Sequence, residues 1–203
     1  HLCMRLAGHL GLPVANTAIA DFDDRRALVV ERFDRTWTKN ARLLRVPQED
    51  CCQALSVPPT LKYQSDGGPG TRELLDLFKA SDTPQKDLAA VLRAQIVFWL
   101  LGATDGHAKN FSIFIRPGGG FELTPLYDVM SAQPLFDAKQ IRRNEMKLAM
   151  SIGDDRHHVV NTIRPRHFVQ TAQSTRLPAE TVQRIFADLI ERAPRAVADA
   201  SAA

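Results

Sequence analysis

Apolar positions follow two rhythms along this chain. From His1 to Val14, "HLCMRLAGHLGLPV" spaces Leu2, Leu6 and Leu10 as a helix does and stops at Gly11, with no start signal before it. From Val14 to Arg35 apolar and polar residues alternate and β-branched side chains abound, which predicts two strands around a turn at Asp23-Asp24. A more polar stretch follows, where Pro47 suits the first turn of a short helix running to Leu55. "QSDGGPG" (Gln64 to Gly70) reads as a loop, and Thr71 as the cap of a helix through Ala80. The segment from Ser81 has a cap at Thr83, Pro84 at the first helical position and a stop at Gly102. Its middle is apolar on every side, which predicts a buried central helix.

The second half returns to short strands before its final helices. Phe111–Ile115 reads as a strand, "PGGG" as a turn and Phe121–Leu123 as the returning strand. "NEMKLAMSIG" reads as a further strand. Two helices follow, over "RPRHFVQTAQSTRL" and "PAETVQRIFADLIERAPRAVADA" (Pro178 to Ala200). The second carries Val182, Ile185, Phe186, Leu189 and Ile190 on one stripe, and its tail "AVADASAA" is expected to fray. The expected fold class is mainly α (α+β): an N-terminal β-hairpin leading into a helical lobe with a small hairpin at its middle.

Composition narrows the class of protein only modestly. A chain of 203 residues that is 44% hydrophobic can bury a substantial core. The net charge of +3 comes from 26 basic and 23 acidic side chains, too even a balance to announce a nucleic-acid binder. No apolar run approaches the ~18 residues of a spanning helix, and no basic-then-apolar leader is present. Three cysteines, two of them adjacent (Cys51, Cys52), suit neither a disulfide framework nor a zinc site. The expectation is a soluble cytoplasmic protein with no membrane partner. Because the chain opens on His with half a helix, it is also expected to be a fragment of a longer polypeptide.

The chemistry concentrates in "LLGATDGHAKNFSIFI" (Leu100 to Ile115), where Asp105, His107, Lys109 and Asn110 are crowded between two core segments. A hairpin beyond them returns the chain to "TPLYDVM", so Asp128 should meet Asp105 and Asn110 on one side of that hairpin. Two carboxylates and an amide oxygen form a hard-oxygen set suited to Mg²⁺. One carboxylate would be left to accept a proton from an attacking hydroxyl.

This arrangement resembles the catalytic machinery of protein kinases, an Asp-x-x-x-x-Asn loop followed beyond a hairpin by a metal-binding Asp. Asp128 stands in "YDV" rather than Asp-Phe-Gly, and Asp105 follows Thr104 rather than His-Arg, so the likeness is to the wider kinase-like superfamily. "ERFDR" (Glu31 to Arg35), "RVPQED" (Arg45 to Asp50), "KYQSDGGPG", "GATDGHAKNFSIF" and "LTPLYDVMSA" together resemble the HipA family, serine/threonine protein kinases that act as toxins of bacterial toxin–antitoxin pairs. The resemblance implies Asp105 as general base, and Asn110 and Asp128 as Mg²⁺ ligands. It implies His107, Ala108, Lys109 and Tyr127 along the ATP phosphates, and Glu31, Arg32 and Phe33 as the hinge that receives adenine. It further implies a helix-turn-helix antitoxin, a translation component such as an aminoacyl-tRNA synthetase as protein substrate, and operator DNA contacted through the antitoxin complex.

One departure stands out. Kinases carry a phosphate-covering loop and a strand Lys upstream of the hinge, and residues 1 to 30 contain no Lys at all. "SDGGPG" and Lys62 lie after the hinge. Residues 1–34 are therefore expected to be a remnant of the small lobe with the hinge, and 35–203 the helical catalytic lobe, inactive by itself.

Plainer readings compete with each candidate. Asp105-Gly106 is a common turn pair, His107 could bond a carbonyl, and Lys109 could be a solvated loop residue. Arg32 or Arg35 could form a structural salt bridge. Asp154, Asp155, His157 and His158 invite a metal site but suit a solvent-facing loop equally. Trp37 and Trp99 read as core or lobe-packing residues. The basic group Lys139, Arg142, Arg143 and Lys147 reads as a solvated face or as a contact to operator phosphates. Two other functions stay open: a kinase-fold phosphotransferase for a small molecule, and a non-catalytic module binding antitoxin or DNA.

Overall fold

In a computed structural model, which describes residues 1–201, the opening apolar stripe forms α1 (Leu2–His9) and stops before Gly11, whose φ of +83° suits glycine. An antiparallel hairpin follows, β1 (Thr17–Phe22) and β2 (Arg25–Val30), turning at Asp23-Asp24 as the alternation predicts. A second hairpin, β3 (Arg35–Trp37) and β4 (Leu43–Arg45), occupies the polar stretch that carried no assignment.

The helix expected from Pro47 is corrected. Gln48–Asp50 form β5, and only α2 (Cys51–Ala54) is helical. The reason is tertiary: β5 pairs with β6 (Ser112–Ile115), which pairs with β7 (Phe121–Leu123), giving a three-stranded sheet at the middle of the molecule. Strand pairing satisfies backbone groups that helical propensity alone would have left to a longer helix.

α3 (Thr71–Phe78) has Gly70 rather than Thr71 as its N-cap and ends before Ala80. α4 (Pro84–Leu101) is the expected central helix, with Pro84 in its first turn and Gly102 left-handed at its end. Val91, Leu92, Ile96, Val97 and Phe98 are all buried, and α1, α3, β7 and two later helices pack against it. After the short α5 (Gln133–Asp137), β8 (Lys147–Ile152) pairs with β9 (His157–Val159).

The two final helices are α6 (Pro165–Ser174) and α7 (Ala179–Ser201). From Ala196 to Ser201 the expected fraying is not what forms, since the helix runs to Ser201 with Ala196 and Ala200 buried; the last two residues of that tail lie outside the described residues. α1 packs along α7, and the Arg5 guanidinium donates to the Asp199 carbonyl at 2.6 Å. Met4, Ala7, Leu10 and Leu12 of the first segment thus join the same core as α4. Ile190 lies outside the stripe and is exposed. Trp99 is packed as expected, its Nε1 donating to the Val160 carbonyl at 3.0 Å, whereas Trp37 is 70% exposed.

Candidate active site

Gly102 ends α4 and releases the chain into the loop that carries Asp105. Gly106 lies hard against α4: a Cβ there would stand 2.4 Å from two ring carbons of Phe98. The loop is therefore seated on the central helix. A 3-10 turn over Ala108–Asn110 then leads into β6. The Asn110 Oδ1 accepts the His107 backbone N–H at 3.1 Å, and its Nδ2 donates to Asp128 Oδ2 at 2.9 Å. The β6–β7 hairpin returns Tyr127 to the same loop, where its hydroxyl donates to the Lys109 carbonyl at 2.6 Å and meets Ser112 Oγ at 3.0 Å. Hairpin return thus brings the Asp105 loop, Asn110, Tyr127 and Asp128 together.

Asp105 is held from the other side. The Tyr63 hydroxyl donates to its Oδ1 at 2.6 Å, and the His107 Nε2 lies 3.9 Å from the same oxygen. The Tyr63 ring meets the His107 ring edge-on at 5.0 Å. His107 is buried beneath this pair, its Nδ1 unpaired, and burial lowers its pKa below the ordinary imidazole value, so the ring is neutral near pH 7. Tyr63 is pushed up to about 12, first by its bond to Asp105, and Tyr127 to about 12, first by burial; both hydroxyls keep their protons. Ala108 is fully buried under the loop. The Lys109 ammonium donates to Asp50, which also caps α2 by accepting the Gln53 N–H at 3.0 Å.

A cleft of about 500 Å³ runs from the β2–β3 connection to this assembly. Glu31, Arg32 and Phe33 line one end, with Tyr127 and Asp128 at the other. Phe33 packs between Phe114 and Tyr127 with ring centroids 5.6 and 5.9 Å away. Asp105, His107, Ala108, Lys109 and Asn110 stand behind the Asp128 end and do not line the cleft. Asp34, buried next to Phe33, accepts both Nε and a terminal nitrogen of Arg32 at 2.8 and 2.7 Å, and also Arg35.

The donor chemistry at the Asp128 end suits a hard divalent cation. Asp128 is solvent-exposed, and the Asn110 carbonyl oxygen keeps a lone pair beyond its bond to His107. Among the described residues, here or elsewhere, no group of three or more His, Cys, Asp or Glu side chains is placed to hold a metal ion. Asp154, Asp155, His157 and His158 form no such group. His157 instead stacks on His167 at 3.9 Å, and the His158 Nδ1 lies 2.9 Å from the Leu148 carbonyl.

Sequence reasoning missed Tyr63, Asp50 and Asp34. Tyr63 and Asp50 each lie inside a quoted block, "KYQSDGGPG" and "RVPQED", yet nothing in the local pattern says which side chain reaches Asp105 or Lys109. Those contacts span 42 and 59 residues.

Comparison with known proteins places the molecule in two steps. The fold is kinase-like: Helicobacter pylori proinflammatory kinase CtkA superposes with a TM-score of 0.54 over 94% of this chain and 80% of its own, at 12% identity, which speaks to fold alone. The chain belongs to the family of HipA-like C-terminal domains, whose profile matches residues 1–197. The serine/threonine-protein kinase toxin HipA of Shewanella oneidensis is 33% identical over 211 aligned residues, covering 98% of this chain and 46% of that protein. The structure of a Shewanella oneidensis HipA, HipB and operator DNA complex matches with a TM-score of 0.85 at 30% identity, over 98% of this chain and 47% of that one. A Sinorhizobium fredii protein is 40% identical over 151 residues, 74% of this chain and 34% of its own length. The chain spans about half, or less, of the length of the Shewanella and Sinorhizobium relatives.

Proposed function

We propose that this chain is the catalytic lobe of a HipA-like serine/threonine protein kinase that uses ATP and Mg²⁺. The observation that carries the reading is the cleft joining Glu31–Phe33 to Asp128, with Asn110 bonded to Asp128 just outside its lining. Adenine would take a donor and an acceptor from the hinge backbone and pack on Phe33, the phosphates pointing toward Asp128. Asn110 and Asp128 would hold Mg²⁺, which neutralises charge on the phosphates when bound. Asp105 would accept the proton of a Ser or Thr hydroxyl as it attacks the γ-phosphate. Positioning and charge neutralisation would supply most of the acceleration.

In this proposal residues 35–203 form the catalytic lobe and residues 1–34 carry the remnant of the small lobe with the hinge, α1 within them packing on α4 and α7. Ile19, Phe22 and Leu28 on that hairpin, with Trp37, Leu43 and Leu44 on the next, are all exposed. So much uncovered apolar surface supports further strands packing there in the complete gene product. The chain alone is then expected to bind ATP weakly and transfer nothing.

The partners proposed are a helix-turn-helix antitoxin, operator DNA reached through that complex, and a translation component such as an aminoacyl-tRNA synthetase as substrate. The assembly of the Shewanella relative with HipB and operator DNA supports the first two. In the complete gene product, Asp128→Ala should abolish Mg²⁺-dependent ATP binding in calorimetry while the melting temperature holds. Unchanged Mg·ATP affinity would remove Asp128 from the metal site.

A further inference from the structure

Asp105 has two carboxylate oxygens, and the structure treats them differently. Oδ1 accepts the Tyr63 hydroxyl at 2.6 Å and faces the His107 ring, while Oδ2 has no hydrogen-bond partner among the described residues. The Asp105 side chain is 47% exposed, so the free oxygen has access to an incoming group. A carboxylate on an open loop would otherwise sample several χ1 and χ2 settings.

Tyr63 is itself firmly placed. Its carbonyl accepts the backbone N–H of Asp66 at 3.0 Å and of Gly68 at 2.9 Å. A Cβ on Gly68 would stand 1.9 Å from the Leu61 carbonyl oxygen, so this turn closes tightly around the tyrosine. The next residue, Gln64, accepts the Ser151 backbone N–H at 2.7 Å and ties the turn to β8. The ring edge rests on His107, three residues before Asn110. A rigid turn from one part of the chain thus reaches across 42 residues to a single oxygen of the loop acid.

From this geometry we propose that Tyr63 is a positioning residue for proton abstraction, clamping Oδ1 of Asp105 so that Oδ2 is presented to the acceptor hydroxyl. The inference rests on the assignment of Asp105 as base. In the step it serves, the acceptor oxygen forms a bond to the γ-phosphorus as the bond to the ADP oxygen breaks. The bonding electron pair leaves with ADP, and the hydroxyl proton passes to Oδ2. Tyr63 exchanges no proton in this step, since its hydroxyl titrates at about 12. Its contribution is geometric: a misplacement of about 1 Å in a reacting group costs on the order of 100-fold in rate.

Tyr63→Phe removes the hydroxyl and keeps the ring on His107. Initial rates of γ-labelled phosphate transfer to proteins of a soluble bacterial lysate, measured across ATP concentrations with the complete gene product, separate the possible roles. The expected result is a fall in maximal rate of about 10- to 100-fold, with the KM for ATP and the melting temperature nearly unchanged. A purely structural role would lower the melting temperature or raise the KM for ATP and leave the maximal rate alone. An unchanged or increased maximal rate, the latter meaning that the tyrosine restrains the base, would overturn the inference. Asp105→Asn assayed beside it keeps the two claims apart. If Asp105→Asn is inactive and Tyr63→Phe is fully active, only the positioning role fails. If the wild-type protein transfers nothing, or Asp105→Asn stays active, the base assignment fails and the inference falls with it.

Discussion

Asp34 is a buried acid surrounded by guanidinium groups: Arg32 grips it with two nitrogens, Arg35 donates to it, and Arg45 lies 3.9 Å away. The bonds from Arg32 hold its carboxyl below the ordinary value. A depressed folded-state pKa gives stability that is fully present above the unfolded value, near 4, and is lost as pH falls through the lowered one. Asp34→Asn should therefore destabilise the chain by about 1–3 kcal/mol at pH 7, a moderate figure because the arginines are themselves partly solvated. The cost should shrink at pH 3, which thermal unfolding at the two pH values can read. A cost independent of pH would mean that the charge on Asp34 contributes nothing. From the sequence, a salt bridge from Arg32 or Arg35 was legible beside Phe33. Its acceptor was not, because convergence on Asp34 depends on Arg45 arriving from a hairpin that the polar stretch did not reveal.

At the scale of elements, strong periodicity carried across and tertiary pairing did not. α4 could be read because an apolar run with Pro84 before it and Gly102 behind it has few other ways to fold. β5 could not, because three residues become a strand only when β6 is there to pair with them. The C-terminal helix keeps its order from Ala196 to Ser201, where fraying was expected, because α1, distant in sequence, covers it. The seat of the Asp105 loop on α4 can be tested directly. Gly106→Ala would force a Cβ into the Phe98 ring, and overpacking of this kind costs about 1–3 kcal/mol. For a chain of this size that is a fall in melting temperature of roughly 2–12 °C, with reduced phosphate transfer as the loop shifts. A melting temperature equal to wild type would show that the loop does not rest on α4 as described.

For the molecule as a whole, three of the five sequence blocks that suggested a HipA-like lobe, "ERFDR", "RVPQED" and "LTPLYDVMSA", contribute to one cleft, and "KYQSDGGPG" meets the Asp105 loop through Tyr63, although the five are spread from Glu31 to Ala132 in the chain. Their order was readable; their convergence needed the β5–β6–β7 sheet, which sets "RVPQED" beside the Asp105 loop and returns Asp128 to Asn110. The apolar faces of the first two hairpins are exposed, and they mark where the proposed small lobe would continue. The central claim is that Asp105 removes the acceptor proton. Asp105→Asn in the complete gene product tests it most directly, since the amide keeps the shape and the bond from Tyr63 but takes up no proton. Phosphate transfer should fall by orders of magnitude and growth inhibition on expression should vanish, with the melting temperature nearly unchanged. A fully active Asp105→Asn protein, or one that no longer folds, would contradict the account and leave Asp105 as a turn residue.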